Sequence, residues 1–260
     1  MSRVAGLHCS TRGGAAPQAL PLVVLPGLMG GAELITRLLG ELSADRTVHC
    51  VDPLGSGESE APDEDAAFEW SSQVERLLAV LDANGVVQAD VLGLSMGGIW
   101  AQHALLRVPR RFRRAILCGT SARLSVRERA IVSALLFAVR SETPSDVLVR
   151  LVATQLFSPA YLHRPGAMGL VEAMLESIWP ARPSLERQLG SLLAHSLDRE
   201  LEAIAIPVRV LVGEHDWLMP PRAAERLAQR IPGSQLRVVP ACGHAMSTES
   251  PEAIVAMVRA

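Results

Sequence analysis

The sequence contains no lysine. Its 25 basic residues are all arginine, and with 27 acidic residues the formal net charge is −2. The absence of lysine excludes the reactions that need its amine, including Schiff-base formation, attachment of pyridoxal phosphate and the phosphate contact of a P-loop. A chain so close to neutral also offers no electrostatic attraction to nucleic acid or to an anionic membrane, and we expect neither as a partner.

Cysteines are few, and their spacing shows no pattern. The four of them lie at positions 9, 50, 118 and 242, without a C-x-x-C pair. A disulfide framework and a zinc site are therefore not expected, and such a chain is typical of a reducing compartment. We predict a cytoplasmic protein that uses neither a metal ion nor another cofactor.

Long hydrophobic runs are lacking too. The longest apolar helical stretch covers residues 130–139 and is too short to span a bilayer. Near the start of the chain, the apolar run at residues 19–25 begins late and is interrupted by Pro21, which does not fit a signal peptide. We therefore expect a soluble protein without a membrane partner.

The pattern that is present is an alternation of short β-rich runs with helical stretches. Between the β-rich runs, apolar residues recur at the spacing of one helix face. Strands that are buried on both faces and separated by helices predict a mostly parallel α/β sheet with right-handed crossovers. The runs predicted as strands are residues 21–25, 47–52, 89–94, 114–119, 208–213 and 235–241.

The alternation is interrupted once, between about residues 122 and 200, where four helices and no strand are predicted. We interpret residues 122–200 as a helical cap inserted into an α/β core made of residues 1–121 and 201–260. Such an insertion is expected over the carboxyl edge of the sheet, where α/β proteins bind their ligands. Residues 1–18 are predicted to add at most one short edge strand.

The strand at residues 89–94 runs into a G-x-S-x-G pattern centred on Ser95, with Gly93 and Gly97 on either side. Between a strand and a helix, this pattern predicts a sharp turn on which the serine is strained and its neighbours two positions away must lack side chains. The helix N-terminus beneath the hydroxyl favours developing negative charge. We predict that Ser95 is a nucleophile; the alternative is an idle serine in a glycine-rich turn.

A nucleophilic serine needs a base, and the base needs a carboxylate that orients it. His244 follows the last predicted strand and is preceded by a glycine, so we predict it as the base. Asp216 follows the strand at residues 208–213 and is predicted as the acid, which gives the chain order Ser, Asp, His. Glu214 is the nearby alternative for the acid, and His215 is interpreted as a bystander.

Acyl transfer also needs hydrogen-bond donors for the oxyanion. The N–H of Met96, directly after the predicted nucleophile, is the first candidate. The second is the N–H of Leu28, in the glycine-rich segment 25–31 that follows the first clear strand.

Two other stretches resemble sites but are interpreted as structural. Residues 52–59 contain G-x-G, which is a weak phosphate-binding signal without a third glycine, and Asp52 is predicted to hydrogen-bond within its own turn. The arginine-rich run at residues 107–114 contains no aromatic residue other than Phe112, so it is predicted to be a solvated face and not a nucleic-acid site.

Together, these motifs resemble the α/β-hydrolase superfamily over nearly the whole chain. The resemblance implies an α/β-hydrolase fold, in which a mostly parallel sheet is flanked by helices and carries an inserted helical cap. It also implies a catalytic triad of Ser95, Asp216 and His244, with the N–H groups of Leu28 and Met96 as oxyanion donors.

Within the superfamily, the segments GLSMGG and ILCGTSARL are similar to those of 3-oxoadipate enol-lactonases and of small carboxylesterases and methylesterases. Serine at the nucleophile position argues against haloalkane dehalogenases and epoxide hydrolases, which carry aspartate there. One departure is Pro26, where many members have a histidine. The proline removes a side chain that usually steadies the loop.

The resemblance implies a serine hydrolase that cleaves an ester or lactone of a small to medium, largely apolar molecule. We expect it to act as a monomer or homodimer, with Trp179, Leu136 and Met174 against the substrate. Arginines 123, 150 and 164 are candidates for binding a substrate carboxylate. Two alternatives stay open: a non-hydrolytic or thioester-acting member, such as a lyase, isomerase, cyclase or thioesterase, and a binding protein with an inert site.

Overall fold

A central sheet organises the part of the chain that the computed structural model describes, namely residues 2–13, 19–33, 35–62, 68–141, 145–178 and 181–260. The sheet has eight strands. They are β1 (Ser2–Val4), β2 (Leu7–Arg12), β3 (Leu22–Leu25), β4 (Val48–Val51), β5 (Ala89–Leu94), β6 (Phe112–Cys118), β7 (Val208–Gly213) and β8 (Gln235–Val239). The α-helices are α1 (Thr36–Leu42), α2 (Trp70–Ala83), α3 (Met96–Arg107), α4 (Val126–Arg140), α5 (Ser145–Leu156), α6 (Pro159–Leu162), α7 (Ala167–Ile178), α8 (Arg182–Ala194), α9 (Pro221–Arg230), α10 (Met246–Glu249) and α11 (Pro251–Arg259).

The strands lie in the order β1-β2-β4-β3-β5-β6-β7-β8. Strands β3 to β8 run parallel to one another, whereas β1 and β2 are antiparallel to their neighbours. The prediction of a mostly parallel α/β sheet flanked by helices is therefore confirmed. Because the carboxyl ends of the parallel strands share one edge, the loops that follow them are brought together there.

The first two strands correct the expectation that residues 1–18 add at most one edge strand. β1 and β2 form a hairpin, and β2 pairs with β4. The two residues of the hairpin turn, Ala5 and Gly6, both have positive φ, at 50° and 79°. A two-residue turn of this kind is usually marked by Asn-Gly or Asp-Gly, so Ala-Gly gives only half of the signal.

Helices cover both faces of the sheet. On β3, Leu22 and Val24 pack into the hydrophobic cluster that includes α1 and α11, whereas Val23 and Leu25 face the larger cluster that includes α2 and α3. All four side chains are fully buried. This alternation gives the burial on both faces that a parallel sheet requires.

Helices α4 to α8 lie between β6 and β7, in the stretch predicted to form a cap. Four of them match the predicted helices, and the short α6 is additional. The start of α4 is held by a capping box between Ser125 and Glu128. The buried Glu128 carboxylate also accepts hydrogen bonds of 3.3 Å from Arg226 of α9. The cap boundaries stay a prediction.

The arginine-rich run at residues 107–114 is not simply a solvated face. Arg113 and Arg114 donate three hydrogen bonds of 2.6–2.9 Å to the buried Asp90, and Arg46 donates a fourth at 3.0 Å. Burial alone would raise the pKa of Asp90, but the hydrogen bonds from Arg113 and Arg114 outweigh burial and lower the pKa. Part of the run therefore neutralises a buried carboxylate at the start of β5.

A buried histidine, His195, meets the half-buried His103 where α8 ends against α3. Nδ1 of His195 lies 3.3 Å from Nε2 of His103, and the ring of His103 stacks on Trp70 with 5.4 Å between centroids. Burial lowers the pKa of His103 and of His195 to about 4. Both rings are therefore neutral at pH 7 in the folded protein.

These histidines predict a loss of stability in mild acid. In the unfolded chain they titrate near 6.5, against about 4 in the fold. The unfolded state therefore binds more protons as the pH falls from 6.5 towards 4, and we expect a loss of roughly 2 kcal/mol per histidine at pH 5. The free energy of unfolding in urea, determined at pH 7.5 and at pH 5, measures this loss. The double variant His103→Gln/His195→Gln should show a weaker pH dependence, and an unchanged dependence would contradict the assignment.

Candidate active site

Ser95 lies on the turn between β5 and α3, with φ 52° and ψ −116°. Positive φ in a residue other than glycine costs about 1–3 kcal/mol and is concentrated at functional sites. A Cβ added to Gly93 would lie 2.6 Å from the carbonyl oxygen of Gly97, and one added to Gly97 would collide with the carbonyl oxygen of Leu25. The turn therefore needs glycine on both sides of the serine, as the sequence pattern predicts.

Ser95, His244 and Asp216 lie in one hydrogen-bonded chain. Oγ of Ser95 is 2.8 Å from Nε2 of His244, and Nδ1 of His244 is 2.8 Å from Oδ2 of Asp216. A carboxylate can only accept, so Nδ1 carries the ring proton and Nε2 accepts from the serine hydroxyl. The side chains of His244 and Asp216 are 6% and 0% exposed, which shields this chain from bulk water.

The carboxylate of Asp216 is fixed by its own loop. Oδ1 accepts from two backbone N–H groups of that loop, at 3.0 and 2.6 Å, which leaves Oδ2 for His244. Glu214, the alternative acid, instead accepts from the N–H of Ala241 at 2.9 Å and is exposed. Of the two carboxylates that the sequence offers as the acid, Asp216 is therefore the one that contacts His244.

The segment that follows β3, residues 26–32, carries Leu28, a predicted oxyanion donor, and is called the oxyanion loop below for that prediction. The N–H of Met29 donates to a side chain of α8 at 3.0 Å, and the N–H of Gly30 closes a tight turn at 2.9 Å. Pro26 has no N–H. In the described part of the chain, the N–H of Leu28 has no acceptor, so it is available to a ligand.

The oxyanion loop packs directly against the nucleophile turn. A Cβ added to Gly27 would lie 3.2 Å from Cβ of Ser95. On the other side, Met96 is the first residue of α3, and the N–H groups of a first helical turn have no partner within the helix. Leu28 and Met96 line one small pocket together with Ser95, and their role as oxyanion donors stays a prediction.

Asp52 tethers its own turn, which confirms the structural interpretation. Its Oδ2 accepts from the N–H of Glu58 at 3.1 Å. Its Oδ1 accepts from the N–H of Ala32 at 3.0 Å, so the same carboxylate also holds the far end of the oxyanion loop.

A cavity of about 230 Å³ opens beside Ser95. It lies between the carboxyl edge of the sheet and the helices α4, α5, α7 and α8. Its walls are mainly aliphatic, and residues that these helices contribute include Leu135, Val139, Val149, Leu156, Met174 and Leu189. This volume is small for a ligand pocket and fits a small or medium apolar group.

The three residues expected against the substrate have different placements. Met174 lines the cavity. Leu136 packs into the main hydrophobic core, whereas its neighbour Leu135 lines the cavity. Trp179 lies outside the described residues.

The cavity holds little charge. Apart from His244, Glu176 is the one ionisable carboxylate or base in its described lining, and none of the 25 arginines lines it. The three arginines considered for a substrate carboxylate lie elsewhere. Arg123 forms an ion pair at 2.7 Å, Arg164 lies over the ring of a tyrosine at 5.1 Å, and Arg150 is exposed.

The cavity wall also includes a cysteine, Cys118. Burial raises the pKa of this thiol well above its usual range, so it is not a rival to Ser95 as nucleophile. All four cysteines are free and buried. Within the described ranges, no three histidine, cysteine or acidic side chains meet as metal ligands, and no helix combines the length and hydropathy needed to cross a membrane.

Two polar side chains near the site have no signal in the sequence. Glu249 accepts from the N–H of Gly243 at 3.1 Å and of Ser158 at 3.0 Å, which ties the loop that carries His244 to the segment between α5 and α6. Gln188 of α8 contacts the oxyanion loop. Ser158 lies 91 positions from Glu249 and Met29 lies 159 positions from Gln188, so no local motif marks these long-range contacts.

Known proteins resemble the chain over most of its length. A family model described as the alpha/beta hydrolase fold matches residues 21–251. A 2-hydroxymuconate semialdehyde hydrolase from Pseudomonas putida is 31% identical over 229 residues, which cover 83% of this chain and 76% of that protein. A pimeloyl-acyl-carrier-protein methyl ester esterase from Neisseria meningitidis is 28% identical over 255 residues, which cover 94% and 93%. Among solved structures, the enol-lactonase from Burkholderia xenovorans has a TM-score of 0.87 at 24% identity and covers 98% of this chain and 96% of its own.

Proposed function

The chain belongs to the alpha/beta-hydrolase family and is a hydrolase, as its motifs predict, and we propose that it cleaves a carboxylic ester or lactone through an acyl-enzyme. The observation that supports this reaction is the chain of two 2.8 Å contacts from Ser95 through His244 to Asp216. A serine hydroxyl, a base and an orienting carboxylate in this order are the arrangement that activates a nucleophile for acyl transfer.

In the first half of the reaction, Nε2 of His244 takes the proton as Oγ of Ser95 attacks the carbonyl carbon. The N–H groups of Leu28 and Met96 donate to the oxyanion of the tetrahedral intermediate. His244 then gives its proton to the leaving alkoxide as the ester C–O bond breaks. The acyl group stays on Oγ of Ser95, and Asp216 stabilises the imidazolium that forms in between.

In the second half, a water molecule takes the place of the alcohol. Nε2 of His244 accepts a proton from this water as its oxygen attacks the acyl carbon, and the same two N–H groups receive the second oxyanion. The intermediate collapses, Oγ of Ser95 takes the proton back from His244, and the carboxylic acid leaves.

The acyl group is small, aliphatic and uncharged. The wall beside Ser95 is built of leucine, valine and methionine side chains, and arginine is absent from its described lining. A carboxylate carried into this cavity would lose its hydration without gaining a cation, which costs several kcal/mol. It would also meet Glu176, a like charge.

A matched pair of substrates tests this preference. We expect p-nitrophenyl hexanoate to be hydrolysed with a kcat/KM at least about 100-fold higher than the mono-p-nitrophenyl ester of adipic acid, because burial of the free carboxylate is unfavourable. The methyl p-nitrophenyl diester of adipic acid has the same chain without the charge and should recover most of the rate. Equal or faster hydrolysis of the anionic ester would contradict an uncharged acyl group.

The cellular setting proposed for this reaction is the cytoplasm. Four free thiols stay reduced there, and a small neutral ester reaches the site without a membrane or nucleic-acid partner.

A further inference from the structure

Gln188 is a fully buried polar residue on the face of α8 that meets the core. Its Oε1 accepts from the N–H of Met29 at 3.0 Å. Its Nε2 donates to the carbonyl oxygen of Leu54 at 2.9 Å and to Oγ of Ser56 at 2.8 Å. The carboxamide thus uses both of its protons and its oxygen, and it joins α8, the oxyanion loop and the turn after β4 at one point.

The partner of Oε1 is the strained residue of the oxyanion loop. Met29 has φ 51°, whereas Leu28 is not in the left-handed region. With the hydrogen bond from the N–H of Gly30 to the carbonyl oxygen of Gly27, this is the pattern of a type II turn, in which the third residue is normally glycine. Methionine keeps such a conformation only when its surroundings enforce it. The hydrogen bond from the N–H of Met29 to Gln188 supplies this support.

The same contact decides which N–H group of the loop stays unpaired. Because Gln188 takes the N–H of Met29, the N–H of Leu28 is the one left free next to Ser95. The loop also lacks a side-chain anchor of its own, since Pro26 stands where many family members have a histidine. Asp52 holds the loop at Ala32, and Gln188 holds it at Met29.

We infer that Gln188 is a positioning residue for the oxyanion donor: by holding the N–H of Met29 it fixes the turn of residues 27–30, so that the N–H of Leu28, in the preceding peptide unit, points at the developing oxyanion. This inference rests on the proposed function, because it assigns a role in the same reaction. Gln188 acts through the oxyanion loop and does not touch the reacting atoms. Its loss should therefore weaken transition-state binding more than substrate binding.

The test compares Gln188→Leu with the wild-type protein on p-nitrophenyl hexanoate. We expect kcat to fall roughly 10- to 100-fold with KM changed less than about 3-fold, since a displaced oxyanion donor costs most in the transition state. The affinity for a trifluoromethyl ketone with the same acyl chain should fall by a similar factor, because its hemiketal oxyanion uses the same donors.

Three further variants separate positioning from a structural role. Gln73→Leu removes another buried glutamine without touching the loop and should leave kcat unchanged. Ser56→Ala removes one contact of Nε2 and keeps the bond to Met29, so its kcat should stay within about 3-fold of wild type. Adding Met29→Gly to Gln188→Leu should restore part of the lost kcat, because glycine favours positive φ without outside support.

If Gln188→Leu does not fold, Gln188→Met is used in its place, because methionine is a flexible side chain of similar volume to glutamine. A wild-type kcat in a folded Gln188 variant would overturn the inference, as would a loss confined to KM or one that Met29→Gly does not relieve. Failure of the proposed function has a different signature, namely full esterase activity in Ser95→Ala, and that result would overturn both.

Discussion

Replacing Ser95 by alanine is expected to lower the kcat for ester hydrolysis by about 10⁴–10⁶-fold, and His244→Ala should cost about the same. The reason is the 2.8 Å contact between Oγ of Ser95 and Nε2 of His244. The serine attacks only when the histidine takes its proton, and the histidine has no nucleophile to activate without the serine. The double variant should therefore be no slower than either single one. Steady-state kinetics on p-nitrophenyl hexanoate, with thermal unfolding to verify the fold, measure all three.

The matched control for the base is His215→Ala. His215 lies next to Asp216 in sequence and makes no contact with Ser95 or His244 in the described hydrogen bonds, so its loss should leave kcat within about 3-fold of wild type. Losses that multiply in the double variant, or a Ser95→Ala protein that keeps most of its activity, would contradict a triad acting as a unit.

Asp216→Asn is expected to lower kcat by about 10³–10⁴-fold with little change in the fold. The carboxylate accepts from Nδ1 of His244 at 2.8 Å and so keeps Nε2 free as the base. An asparagine can donate to Nδ1 instead, which favours the tautomer whose proton sits on Nε2. The imidazolium formed during attack also loses its counter-charge.

Glu214→Gln is the control for this variant, since it makes the same carboxylate-to-amide change two residues away. In the described hydrogen bonds, the side chain of Glu214 accepts only from the N–H of Ala241. The kcat of Glu214→Gln should therefore stay near that of the wild-type protein. A larger loss in Glu214→Gln than in Asp216→Asn would exchange the two assignments. Kinetics of both variants on one substrate decide between them.

The hydrogen-bonded arrangement of Ser95, His244 and Asp216 was predictable from the sequence because each of the three residues follows a recognisable strand. Ser95 comes directly after β5, whereas Asp216 and His244 lie in the loops that follow β7 and β8. In a parallel sheet those strand ends share one edge. Glycines two positions from Ser95 mark the turn, since close backbone contacts exclude side chains there. Motif spacing and strand order together therefore fix which side chains meet.

The support of the oxyanion loop was not predictable in this way. Gln188 lies 159 positions after Met29 in the chain, in a helix whose sequence gives no sign of which polar residue is buried. Likewise, the helical pattern of α4 does not decide whether Leu135 or Leu136 faces the cavity, because adjacent residues differ by about 100° around a helix. Only the packing of α8 and α4 on the core settles these placements.

Two further differences have the same physical origin. Ala5 lacks the side chain that normally marks a two-residue hairpin turn, so β1 and β2 become visible only through their pairing with each other and the pairing of β2 with β4. The sequence of residues 107–114 indicates a solvated patch of arginines. In the fold, Asp90 contacts Arg113 and Arg114, although it lies 23 and 24 positions before them in the chain. Long-range contacts decide both cases.

The most direct test of the account is whether Ser95 reacts as an activated nucleophile. The pure protein is treated with a fluorophosphonate, and its intact mass is compared with that of Ser95→Ala treated in the same way. We predict one adduct per wild-type chain, located on the peptide that contains Ser95, and none on the variant. An unmodified wild-type protein, or an adduct that persists in Ser95→Ala, would contradict the proposed serine hydrolase.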